Sequence, residues 1–283
     1  VSEPRLPKLV ELRERYVERD RPLPKAIEAA LRADPRPGAR AILEAIDRRR
    51  LENRSEGQRL RHLCRHEQAL WTQGIARVAG VDEAGMAPLA GPVVAAAVIL
   101  PQGYRLTGID DSKKLSAEQR EELVVHIKRD ALSWGVGTVE PEEIDRVNIY
   151  QAGLLAMRRA VEALALSPEY LLIDARTLRG VAIPQRGIVH GDAESISIAA
   201  ASIVAKTTRD AHMTELGHTY PGYGFAQHKG YPVEQHLRAI TELGVLPIHR
   251  RSFMPIKQAL GLVPDQLDLP IGSEPNSADL ATE

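Results

Sequence analysis

The chain has 283 residues, of which 43% are hydrophobic and 27% charged, with a formal net charge of −1 at pH 7. This composition excludes a collagen-like or low-complexity chain, and the lone Cys64 excludes an internal disulfide framework. No apolar run is long enough for a transmembrane helix and no charged-then-apolar leader opens the sequence, so a cytoplasmic protein without membrane contact is expected.

The neutral total hides an uneven distribution. Through residue 76 there are about 17 Lys and Arg against about 12 Asp and Glu, and from Val263 onward about five acids and no base. Nucleic-acid partners remain open, because a local basic patch, not the total, attracts phosphate.

To about Gly74 the sequence reads as helices separated by proline breaks. "LPKLVELRERYVERD" places Leu9, Leu12 and Tyr16 at helical spacing. The next helical stretch is interrupted at Pro35 and Pro37, and "EGQRLRHLCRHEQALWTQG" carries the pattern to Gly74. This segment, residues 1–76, is either a helical cap on the main domain or a basic arm that grips nucleic acid.

From Arg77 the pattern changes. Val78 to Gly85 and Pro92 to Leu100 read as two strands joined through a Gly/Pro-rich turn. "DSKKLSAEQREELVVHIKRDA" is a helix with a capping-box signature, Ser116 followed three residues on by Gln119. A strand at "SWGVGTVEP", a periodic helix at "NIYQAGLLAMRRAVEALA", strands at "YLLIDA" and "AIPQRGIVHGD", and the Ala-rich helix "SISIAAASIVAKTTRDAHMTEL" follow. A strand hairpin followed by helix-linked strands predicts a mixed α/β sheet with helices on both faces over residues 77–262. Residues 263–283 read as a disordered acidic tail.

Three strand ends carry acids: Asp82–Glu83, Asp174 and Asp192. Functional crevices of α/β sheets lie beyond strand ends, and an all-oxygen donor set selects hard cations such as Mg²⁺ or Mn²⁺. Side chains alternate across a strand, so Asp82 and Glu83 cannot both point squarely into one site; Glu83 would reach in from the strand end. A lone strand-end Asp is also a common turn former or helix cap, and Asp192 precedes the Ala-rich helix. Spacing by itself leaves both readings open.

The surrounding motifs decide between them. "VDEAG…PLAGPVVAAAV", "DSKKLS", "LLIDA", "HGDAESISIAAASIVAKTTRDAHM", "YPGYGFAQHKGYP" and "HRRSFMP" stand in the order and spacing of bacterial ribonuclease HII, the type 2 ribonuclease H, which the block from Val78 to Gln258 resembles. The resemblance implies a ribonuclease H-like fold: a mixed five-stranded sheet flanked by helices, here with an N-terminal helical extension. It implies that Asp82, Glu83, Asp174 and Asp192 bind two divalent ions, Mg²⁺ or Mn²⁺, for hydrolysis that leaves a 3′-hydroxyl and a 5′-phosphate. Asp210 is the nearby competitor for the fourth position, but it lies one helical turn after Lys206, where an ordinary ion pair accounts for it. His190 and His228 are read as surface or packing residues.

The same resemblance casts Lys113, Lys114, Lys206 and Arg209 as phosphate contacts, with a plain solvated side chain the alternative for each. It casts Tyr231 as the ring that packs on the sugar at an RNA-to-DNA junction, and Gly85, Met86 and Ala87 as the backbone beside the ribose 2′-hydroxyl. Here the chain departs from the family, which carries Gly-Arg-Gly where this sequence has Gly85-Met86-Ala87. Met86 lacks a guanidinium, and Ala87 adds a Cβ where positive φ or close approach favours glycine.

The activity implied is cleavage of the RNA strand of RNA/DNA hybrids and cutting 5′ of ribonucleotides embedded in duplex DNA, by a monomer. Cleavage restricted to hybrids, as in type 3 enzymes, and nucleic-acid binding without catalysis are the alternatives. In the tail, "QLDLPI" (Gln266 to Ile271) resembles the peptides that dock bacterial proteins on the replication sliding clamp.

Overall fold

The structure, a computed structural model, describes residues 8–263. The sliding-clamp-like peptide Gln266–Ile271 and the rest of the acidic tail lie outside the described residues. The chain divides into two compact units between His62 and Leu63.

In the first unit, α1 (Leu9–Arg13) runs on into a π-helical turn, Glu14–Glu18, and is followed by α2 (Lys25–Ala33) and α3 (Pro37–Leu63). The helical stretch breaks between Ala33 and Pro37, as expected, and Pro37 opens the next helix: at the first position its missing N–H is not needed and its φ already suits the helix. Leu12, Tyr16, Leu31, Ile42 and Ile46 form the buried cluster of this unit. The Arg50 guanidinium holds both Glu28 oxygens, at 2.9 and 2.8 Å, and so ties α3 to α2.

The second unit begins with α4 (Arg65–Trp71) and contains one five-stranded sheet. Its strands are β1 (Val78–Ala84), β2 (Val93–Ile99), β3 (Ser133–Val139), β4 (Tyr170–Asp174) and β5 (Gln185–Ile188), in spatial order β3-β2-β1-β4-β5. β2 runs antiparallel to both β1 and β3, whereas β4 is parallel to β1 and β5 parallel to β4. All seven residues of β2 are buried, which explains its unbroken apolar run: helices cover both faces.

Between the strands lie α5 (Ala117–Asp130), α6 (Pro141–Val147) and α7 (Ile149–Glu162), and after β5 come α8 (Ile196–Thr219), α9 (Phe225–His228), α10 (Glu234–Leu243) and α11 (Met254–Ala259). The capping box that starts α5 is formed: Gln119 N donates to Ser116 Oγ at 3.2 Å and Ser116 N to Gln119 Oε1 at 2.8 Å. Ala79 and Val81 of β1 pack in the cluster that holds Ala152, Ala156 and Met157 of α7, while Val78 packs with Ile198 of α8. Residues of opposite parity therefore face opposite helices. A Cβ on Gly80 would lie 2.0 Å from the carbonyl carbon of Ser197, and one on Gly137 would lie 2.1 Å from Ala156 O. Glycine at these two places lets α8 and α7 lie directly on the sheet.

Within this unit the buried carboxylate of Glu67 on α4 caps α8. It accepts from Ser195 Oγ at 2.5 Å and from Ser197 N at 3.0 Å. Leu70, Trp71 and Ile75 pack against Val78, Leu172 and Ile198. The segment just before β1 is thus built into the body that carries the sheet.

Candidate active site

The parallel register pairs Val81 with Ile173, so Asp82 and Asp174 leave the sheet side by side, each one residue beyond that pair. Leu172 shares the α8 side with Val78, and alternation therefore places Asp82 and Asp174 on that face. Glu83 emerges on the α7 face. Asp192 lies in a short 3₁₀ turn, Gly191–Ala193, between β5 and α8, where it is buried. Asp82, Glu83 and Asp174 thus stand at the ends of β1 and β4 as expected, whereas Asp192, expected to end a strand, lies in the turn after β5, which stops at Ile188.

Protein donors hold one oxygen of several of these groups. Glu83 N donates to Asp82 Oδ1 at 2.7 Å and Gly191 N to Asp174 Oδ1 at 2.7 Å. Arg176 Nη2 approaches Glu83 Oε1 at 3.3 Å, and Lys113 Nζ approaches Asp192 Oδ2 at 3.8 Å. Burial, followed by the charges of Glu83 and Asp174, raises the Asp82 pKa well above the ordinary carboxylate value. Burial raises Glu83 as well, with Arg176 opposing and Asp174 adding to the shift. Asp192 is raised by burial, then by Asp111 and Asp174. Burial works against the Lys113 ammonium, yet Asp192, Asp111, Asp82 and Asp174 together raise its pKa.

The donors fit a hard divalent cation. They are oxygens only, they repel one another, and Glu83 Oε2 is buried with no hydrogen-bond partner. As the side chains stand, no three His, Cys, Asp or Glu among the described residues form a ready-made metal cage. The fit therefore rests on charge and donor chemistry.

Other residues singled out in the sequence take different places. Lys114 is exposed and pairs with Asp110 at 3.3 Å. Lys206 donates to Asp210 at 2.6 Å, the ion pair expected of that helix, and lies 5.9 Å from the centre of the Tyr231 ring. Arg209 is fully buried and donates to the carbonyls of Pro92, Lys229 and Ala90 at 2.9, 3.1 and 3.1 Å. Its guanidinium fastens the β1–β2 connection from within. His190 is exposed with a left-handed backbone, and His228 stacks on His236 and bonds to the Tyr223 carbonyl at 2.7 Å.

Gly85 has φ +94°, and a Cβ there would lie 2.2 Å from Arg209 Nε, so both conformation and space demand glycine. Ala87 is exposed and is not among the described residues with positive φ, so its Cβ strains no backbone. The Met86 side chain packs against the edge of the core beside α7.

Sequence reasoning missed four residues here. Arg250 is buried and donates to the carbonyls of Gly85 at 2.6 Å, Met86 at 3.1 Å and Gly91 at 3.0 Å, positioning the whole turn. Arg176 pairs with Glu83, the Asp111 charge adds to the upward shift of Asp192, and Ser202 on α8 favours the ionised form of Asp82. Arg250 and Asp111 sit inside the "HRRSFMP" and "DSKKLS" stretches or directly beside them, which was the available signal. Nothing in the sequence linked Arg176 or Ser202 to a particular carboxylate.

Comparison with known proteins agrees with this geometry. The ribonuclease HII family model matches residues 79–256. A ribonuclease HII of Myxococcus xanthus is 60% identical over 270 residues, covering 95% of this chain and 90% of its own. Among solved structures, ribonuclease H2 of Pyrococcus horikoshii superimposes with a TM-score of 0.57 at 26% identity, covering 66% of this chain and 98% of its own. Ribonuclease HII of Archaeoglobus fulgidus, solved in complex with PCNA, gives a TM-score of 0.54 at 26% identity, covering 63% of this chain and 95% of its own. The chain belongs to the ribonuclease HII family.

Proposed function

We propose that this protein is a divalent-metal-dependent endoribonuclease that hydrolyses the RNA strand of RNA/DNA hybrids and cuts 5′ of single ribonucleotides embedded in duplex DNA. The observation that carries the reading is the grouping of Asp82, Glu83 and Asp174 at adjoining strand ends with Asp192 in the turn after β5, one buried Glu83 oxygen being unpartnered. These four would hold two ions, Mg²⁺ or Mn²⁺. When bound, such ions lower the pKa of a water and stabilise a departing 3′ oxygen.

The chain's own residues do the rest. Gly191 N and Glu83 N orient the two central aspartates, and Arg176 sets the position of Glu83. Lys113, exposed beside Asp192, is the candidate contact to a backbone phosphate. Tyr231, with the Lys206 ammonium over its ring, is the candidate sugar contact, and the Gly85–Ala87 turn presents backbone groups to a 2′-hydroxyl. Arg209 and Arg250 act by holding that turn. The catalytic domain is residues 77–262, buttressed by α4.

Among the described residues no helix is long and apolar enough to cross a membrane. The lone Cys64, a free thiol whose pKa burial pushes up to about 11, is in keeping with a reducing cytoplasm. The PCNA complex of the archaeal relative lends support to a sliding-clamp partner for Gln266–Ile271.

The test is a labelled-strand cleavage assay with Mg²⁺ or Mn²⁺ on two substrates, a DNA duplex with one ribonucleotide and an RNA/DNA hybrid. Cutting 5′ of the lone ribonucleotide is expected. Cutting of the hybrid alone would assign type 3 selectivity, and binding without cleavage would leave a nucleic-acid-binding protein.

A further inference from the structure

A cleft of about 820 Å³ opens beside the four carboxylates, between α7 and the turn that follows β4. It starts at Ala175, the residue after Asp174, and Arg176 joins it to the site by reaching Glu83. Tyr150 on α7 contributes a ring that is 53% exposed, with the Arg176 guanidinium 5.0 Å from its centre. Arg158 and Arg179 line the same cleft, and Arg158 donates to the Arg179 carbonyl at 2.6 Å, bracing the turn that carries Arg179. Among the described residues that line it, none is Asp or Glu. Val189, 70% exposed, adds apolar surface.

Two features identify the occupant. Arg176 is balanced by Glu83, but Arg158 and Arg179 meet no acid among the residues lining the cleft, and the local excess of positive charge beside an acidic centre suits a phosphodiester backbone. An exposed tyrosine beside them offers a stacking face, which a nucleobase uses and a simple anion does not. Arg176 Nη1 is buried without a hydrogen-bond partner, so this guanidinium is not saturated by the protein.

We propose that this cleft is a further substrate subsite, in which a strand of the bound duplex continues beyond the cleavage position with a phosphate at Arg176 and Arg179 and a base against Tyr150. The inference rests on the ribonuclease reading above and extends it to residues that no part of that reading uses for binding.

The test uses the full chain with Arg179→Ala and Tyr150→Ala, both exposed and neither in contact with the carboxylates; Arg176 is left intact because its loss would also release Glu83. Arg129→Ala, at the far end of α5, is the control. Binding of a labelled RNA/DNA hybrid in EDTA is measured against salt, and cleavage with Mg²⁺ against substrate concentration. The subsite predicts binding weaker by about fivefold to tenfold in both variants, roughly the loss of one good contact. For Arg179→Ala it also predicts a salt slope lower by about one, and for Tyr150→Ala an unchanged slope. KM should rise in both while the rate at saturation stays within about twofold, the pattern of a lost uniform binding contact. Unchanged binding, an equal loss in Arg129→Ala, or equal competition by poly-glutamate would overturn the subsite. A wild-type protein that neither binds nor cuts the hybrid would instead overturn the ribonuclease reading.

Discussion

Asp82 and Asp174 stand next to each other on parallel strands because Val81 pairs with Ile173, and their proximity is repulsive. Burial and the neighbouring acids push the Asp82 pKa well up, so the site stores unfavourable charge that a cation relieves.

Metal should therefore stabilise the fold as well as support cleavage. Adding Mg²⁺ to EDTA-treated protein is expected to raise Tm by several degrees, since saturation at about 100 times Kd stabilises by about 2.7 kcal/mol. Asp174→Asn should remove most of that rise and cut activity by at least about a thousandfold. Differential scanning fluorimetry across a Mg²⁺ series reads the first effect, and an unchanged rise in the variant would sink the assignment of Asp174.

Arg250 and Arg209 are two buried arginines whose guanidinium groups donate to backbone carbonyls, and burial together with Arg209 pushes the Arg250 pKa down to about 9. Replacing Arg250 with Met leaves three carbonyls without their donor. We expect a loss of about 2–4 kcal/mol in denaturant unfolding and a larger fall in junction cleavage, because Gly85 and Met86 lose their anchor. Arg251→Ala, at the exposed neighbouring position, should change stability by less than about 0.5 kcal/mol.

His236 and His249 face each other through their Nε2 atoms at 3.2 Å beneath Phe225, and burial drives each pKa down to about 4 from 6.5. Neutral rings are thus favoured in the folded state. Their contribution to stability is complete above pH 6.5 and is lost as pH falls from 6.5 toward 4, where the unfolded chain binds protons that the folded one refuses. The loss amounts to roughly 3 kcal/mol for one ring by pH 4. Urea midpoints at pH 7.5 and pH 4.5 should therefore differ more for the wild type than for His236→Gln; equal differences would contradict the buried-neutral pair.

Met86→Arg combined with Ala87→Gly restores the family's Gly-Arg-Gly. Ala87 already sits at an ordinary φ on the surface, so the gain should come mainly from the arginine. We expect cleavage at an isolated ribonucleotide to increase by about threefold to tenfold with hybrid cleavage nearly constant, the worth of one charge-assisted phosphate contact. Single-turnover assays of both single variants and the double variant decide it; no gain in any of them would show that Met86 and Ala87 already read the junction fully.

The strands, the capping box of α5 and the long helices α7 and α8 were legible in the sequence because each is governed by local rules: alternation, helical periodicity, and Ser–Gln spacing at a helix start. Asp82, Glu83 and Asp174 were legible as strand-end residues within family motifs, whereas Asp192, read as ending a strand, lies in the 3₁₀ turn beyond β5. The break read at Pro35 and Pro37 lies between α2 and α3, with Pro37 as the first residue of the second helix. What only the tertiary structure decided is which groups act on one another across long stretches of chain. Arg250 meets the Gly85 carbonyl 165 residues away and Glu67 meets Ser195 across 128, while the place of Arg176 depends on the β1–β4 register. Whether Arg209 faces a phosphate or the interior follows from packing of the β1–β2 turn on α8, and its burial against three carbonyls is a property of that packing. Local chemistry sets the elements and names the acids; long-range packing sets their partners, because a side chain's charge is written in the sequence and its solvent exposure is not.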